Sequence, residues 1–124
     1  MAVDQTANIV DRTDAGVGIA DIATAATALT DVDNDFRNDG NIIALIVNAD
    51  AGARTVTLKS QPDPYGRGGA TDTDNDEVIT VPAGETGIIP MMNMAMFNST
   101  GVARITVDAT TSTSLLLIRI KKFR

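Results

Sequence analysis

The 124-residue chain contains no cysteine and no histidine. Without cysteine there can be no disulfide, no thiolate metal site and no cysteine nucleophile, and the redox compartment is left undetermined. Without histidine the commonest general base, proton shuttle and transition-metal ligand is missing. Catalysis would have to run on carboxylates, Lys, Tyr or Ser alone, so the expectation is a protein that is not an enzyme. Aromatic residues are scarce, with three Phe, one Tyr and no Trp. A core must therefore be assembled from Val, Ile, Leu, Met and Ala. No apolar run approaches the roughly 20 residues that span a bilayer. The opening MAVDQTANIVDR has no basic stretch leading into an apolar one, so no signal peptide is expected.

What is present is acidic and unevenly charged. The net charge is −6, from sixteen acidic and ten basic residues. Four of the ten, Arg119, Lys121, Lys122 and Arg124, fall in the last six positions, leaving six basic residues against all sixteen acids elsewhere. An acidic body repels phosphate backbones, which argues against nucleic acid as a partner. The basic tail reads first as a solvated chain end and second as a contact for an acidic neighbour.

A chain of this length buries roughly two-thirds of its unfolded surface, enough for one core. Residues 1–20 show no sustained period and predict a flexible N-terminal arm, ordered only on a partner or on the chain's own sheet. Residues 21–124 are expected to form a single domain. The Ala-rich stretch 19–29 carries Thr24 and Thr27 and lacks helix-forming charged residues, which favours an extended strand over a short helix.

Residues 41–48 (NIIALIVN) form an unbroken apolar run of strand length, expected to be buried on both faces. After the turn signal Asp50-Ala51-Gly52, residues 53–60 (ARTVTLKS) alternate as a strand buried on one face. The two runs make the best hairpin in the chain. Residues 61–76, rich in Pro, Gly and Asp, predict a long loop. Strands are then expected at 77–81 (EVITV), at 86–92 (TGIIPMM, demoted to an edge or irregular strand by Pro90), at 102–108 (VARITVD) and at 114–120 (SLLLIRI). Pro82 to Glu85 is a tight turn. Seven or eight short strands separated by turn residues predict an all-β domain, a β-sandwich or a jelly-roll-like relative of it.

Two acidic runs invite a calcium reading. Asp31, Asp33 and Asp35 alternate as carboxylates do in oxygen-liganding loops, but the sixth and twelfth positions hold Phe36 and Ile42 instead of Gly and Glu. Asp72, Asp74 and Asp76 share the spacing and run straight into a strand. Solvated loops use alternating Asp for their own backbone just as readily. Gly16-Val17-Gly18 lacks both the third glycine and the βαβ setting of a dinucleotide fingerprint. Met91, Met92, Met94 and Met96 precede Phe97. On a strand Met92, Met94 and Met96 would share one face, as core filling first and as a subunit contact second. An exposed edge beside them favours an oligomer.

The order of four blocks, NDGNIIALIVNADAGARTVTL, EVITVPAGETGIIP, VARITVD and LLLIRI, resembles a family of small bacteriophage virion proteins. The resemblance runs over residues 39–120 and breaks off in the Ala-rich stretch before residue 30. The Met cluster after residue 90 departs from it too. It implies a capsid decoration, or cement, protein: a β-sandwich on the outside of a phage head that bridges neighbouring capsid subunits. The implied partner is the major capsid protein, the implied place the outer surface of the virion. The family brings no catalytic residue, and separately no cofactor and no membrane partner are expected. The runner-up is a neck, tail or fibre component of the same particle. A carbohydrate-binding module would need aromatic platforms, and Tyr65 alone stands in a plausible loop. A metal-dependent hydrolase would rest on Asp72, Asp74 and Asp76, on which nothing else in the sequence converges.

Overall fold

The computed structural model describes residues 2–11, 22–60, 76–89, 92, 97–98 and 101–120. Ten strands occur among them: β1 (Val3–Asp4), β2 (Ile9–Asp11), β3 (Thr27–Ala28), β4 (Asp33–Arg37), β5 (Ile42–Asn48), β6 (Arg54–Leu58), β7 (Glu77–Val81), β8 (Thr86–Ile89), β9 (Val102–Val107) and β10 (Thr113–Arg119). They form two mixed sheets, one in the order β1-β4-β9-β6-β7 and the other in the order β2-β10-β5-β8, with β3 also paired to β10. The expected all-β sandwich is what the chain adopts. The strands not expected are β1 and β2, in the stretch read as an arm, and the five-residue β4, in the run read only for its alternating aspartates.

Alternation explains which side chains meet between the sheets. In β9, Ala103, Ile105 and Val107 point inward and are buried, while Arg104 and Thr106 point out. In β6, Val56 and Leu58 do the same against Thr55 and Thr57. Opposite them lie Ala44 and Ile46 of β5 and Leu115 and Leu117 of β10, in one cluster with Phe36, Val81 and Ile89. Fully burying each such aliphatic side chain contributes about 1.5–3 kcal/mol, so the core needs no tryptophan.

Four expectations are corrected. The runs at 41–48 and 53–60 are not a hairpin: β5 pairs with β10 and β8, and β6 pairs with β7 and β9. The intervening turn carries the chain from one sheet to the other, held by the buried Asn48, whose amide donates to the Gly52, Val81 and Pro82 carbonyls at 2.9, 3.1 and 3.2 Å. β5 is buried on its inward side and only half-buried at Ile43, Leu45 and Val47. Within the stretch 19–29, Ile22–Ala25 is one helical turn and Thr27–Ala28 is extended.

The fourth concerns the arm. Residues 2–11 lie on the chain's own sheets: β1 runs parallel to β4, and β2 runs parallel to β10. Between them a 3-10 turn, Thr6–Asn8, crosses from one sheet to the other. Buried Gln5 fixes the crossing, its amide donating to Asn34 Oδ1 and its carbonyl oxygen accepting from the Asn8 amide, both at 2.8 Å. Polar side chains do this work, which is why no apolar period announced the strands. Residues 12–20 lie outside the described set.

Candidate functional site

Of the acidic positions picked out by spacing, Asp31, Asp33, Asp35 and Asp76 are engaged within the fold. Asp33 and Asp35 point outward from β4, opposite Thr106 and Arg104 of β9. Arg104 grips Asp35 with two nitrogens at 2.7 and 3.0 Å, a paired geometry that raises the guanidinium's pKa above its ordinary value. Asp33 accepts the Thr106 hydroxyl at 2.8 Å, and Asp31 accepts the Asp33 backbone N–H at 3.0 Å, which lowers the Asp31 pKa. Each carboxylate thus has its own partner instead of sharing a centre.

Asp76 faces the Lys59 ammonium at 2.7 Å and the Ser60 backbone N–H at 2.7 Å. Burial pushes its pKa up, but these donors outweigh that and hold the carboxyl below its ordinary value. An ammonium at this distance occupies the place a cation would take. Among the described residues no three acidic side chains gather as metal ligands. Asp72 and Asp74 lie outside the described residues.

Met92 is buried at 3% exposure and belongs to the core cluster. Its carbonyl accepts from the buried Asn38 amide at 2.9 Å, and Asn38 also donates to Asn98 at 2.8 Å. Phe97 is buried beside it. Met94, Met96, Lys121, Lys122 and Arg124 lie outside the described residues.

Among the described residues the fold leaves one side of the sandwich uncovered. β7 is the last strand of one sheet and β8 the last strand of the other, joined by the turn Pro82 to Glu85. Gly84 sits there at φ +74°, a conformation glycine adopts without strain. The Val81 side chain closes so tightly on Gly87 that a Cβ there would lie 2.5 Å from it. The two most exposed large apolar side chains of the described residues flank this turn: Val78 at 60% and Ile88 at 71%. On the opposite side of the sandwich the outermost strands are only two and three residues long, a device that discourages further pairing. β8 carries no charge and no proline to the same end.

Pro90 signalled β8 as an edge, and the structure places it at one. Val78 was missed. Ile88 was legible in retrospect, because neighbours on a strand face opposite ways and the Ile88-Ile89 doublet must send one side chain outward.

Among the described residues no helix is long and apolar enough to cross a membrane. No protein-family model, no curated protein and no solved structure matches this chain.

Proposed function

We propose that the protein is a capsid decoration protein, bound to the outside of a phage head and bridging neighbouring subunits of the major capsid protein. The observation that carries this reading is where the four resembling blocks fall. They coincide with β5 and β6, with β7, its turn and β8, with β9, and with β10. With β4, which lies outside the blocks, these strands make the body of both sheets, so the likeness lies mostly in the framework and not in scattered turns.

The chemistry agrees with a role in assembly. Among the described residues no buried side-chain polar atom lacks a hydrogen-bond partner. Polar groups are spent on holding the framework, as in Arg54, which reaches Thr113, Thr111 and Asp50 at 2.9, 2.7 and 2.8 Å. A rigid body with one open side suits a clamp that must keep its shape while a partner pulls on it.

Counting copies in purified virions tests the reading. Decoration predicts hundreds of copies in fixed ratio to the major shell protein. A handful per particle would place the protein at the neck, tail or a fibre, and none would remove it from the virion.

A further inference from the structure

Asp39-Gly40 is the one place in the chain where glycine follows an aspartate or an asparagine. With no Cβ beside it, the glycine nitrogen is unshielded. The dipeptide lies in the turn between β4 and β5, with Gly40 at φ +82°. Asp39 Oδ1 accepts the Asn41 N–H at 2.9 Å, which folds the carboxyl back over the Gly40 peptide unit. The Gly40 N–H donates to Asn38 Oδ1 at 3.0 Å, so an acceptor already draws on the proton that this nitrogen must lose in order to attack. Arg119 Nε donates to Asp39 Oδ2 at 3.1 Å, and with the Asp39 side chain 47% exposed the pair stands open to water.

We propose that Asp39 is a site of spontaneous covalent modification, closing on the Gly40 nitrogen to a succinimide that reopens to isoaspartate, with Arg119 setting the pace. In the first step the Gly40 nitrogen bonds to Asp39 Cγ, and one carboxyl oxygen leaves as water, taking one proton from the Gly40 N–H and one from solvent. In the second step water adds to either ring carbonyl. Opening at Cγ restores aspartate, and opening at the main-chain carbonyl gives isoaspartate. Water is the only co-reactant and the final mass is unchanged, so the chemistry needs the folded chain alone, whatever partner it binds.

Arg119 is a positioning residue here. Its guanidinium favours the carboxylate as it stands, and attack at Cγ must give up that contact. Asp50 is the internal comparison: it too lies in a turn and is held by an arginine, Arg54, at 2.8 Å, but Ala51 follows it and shields the nitrogen.

Isoaspartate adds one atom to the main chain, and it does so between two anchors. On one side the buried Asn38 amide donates to the Met92 carbonyl and to Asn98. On the other the Asn41 carbonyl accepts the Ile120 N–H at 2.8 Å. The end of the β5–β10 ladder, where Ile42 lies opposite Arg119, therefore loosens as the site ages.

Ageing the full chain at neutral pH and physiological temperature tests this, with peptide mapping by a protease that cleaves before aspartate but not before isoaspartate. Isoaspartate should accumulate at Asp39 while Asp50 stays unmodified. Arg119→Gln should raise the rate about two- to fivefold, the worth of an exposed ion pair, and Arg119→Lys, which keeps the charge, should restore most of the restraint. In the modified fraction the Ile120 amide should exchange faster than in fresh protein, while the amides of β6 keep their protection. Asp39 unmodified in the wild type and in Arg119→Gln alike, or isoaspartate at Asp50 first, overturns the proposal. Modification at Asp39 at a rate indifferent to Arg119→Gln overturns the role given to Arg119.

Discussion

Lys59 and Asp76 stand seventeen positions apart in the chain and 2.7 Å apart in space, joining the end of β6 to the start of β7. The Asp76 side chain is 4% exposed, so the pair is largely withdrawn from water, and its second oxygen accepts the Ser60 N–H. Whatever the intervening residues do, they depart from and return to a fixed base.

Asp76→Ala should therefore destabilise the protein by about 1–3 kcal/mol, because it strands a part-buried ammonium and a backbone donor. The carboxyl's pKa is depressed in the folded state. Its contribution is then fully present above the ordinary carboxylate pKa and fades as pH falls through the lower folded value. Urea midpoints of wild type and variant should differ at pH 7 and converge in strong acid.

Gly87 is the tightest point of the open side. Gly87→Ala places a methyl against the stiff, buried Val81 side chain, and overpacking of this kind costs about 1–3 kcal/mol. Val81→Ala also destabilises, by creating a cavity. The double variant should lose less than the sum of the two, since the cavity accepts the methyl. A double-mutant cycle on thermal unfolding measures the difference.

Asn48 separates two kinds of damage. Asn48→Ala removes the donor to three carbonyls and the acceptor for the Asp50 N–H. Asn48→Asp keeps the shape but turns a charged oxygen toward those carbonyls. Chemical denaturation should show a loss of about 1–3 kcal/mol for the first and a larger one for the second.

The first strands supply a prediction opposite to that of a loose arm. Gln5→Ala removes the partner of buried Asn34 and of Asn8 and should cost about 1–3 kcal/mol in thermal unfolding. A dispensable arm would lose nothing.

Face was easier to read from the sequence than neighbour. Alternation in ARTVTL assigned the inward side chains of β6 correctly, because a strand's period of two is set by its own backbone. The pairing of β5 with β6 was misjudged for the same reason: the period says which face is buried, not which strand lies alongside. β1 and β2 carry no apolar pattern, since Gln5 anchors them through hydrogen bonds. At the open side, Pro90 and the Ile88-Ile89 doublet were visible in the sequence. The exposure of Val78 was not, because EVITV reads alike in an edge strand and an inner one.

Decoration of a capsid is tested most directly by mixing purified protein with expanded heads that lack it and sedimenting the particles. The account predicts binding that saturates at a fixed number of copies per major capsid subunit and leaves the heads harder to disrupt by heat. Heads that sediment bare, at protein concentrations where the chain itself remains folded, would contradict it.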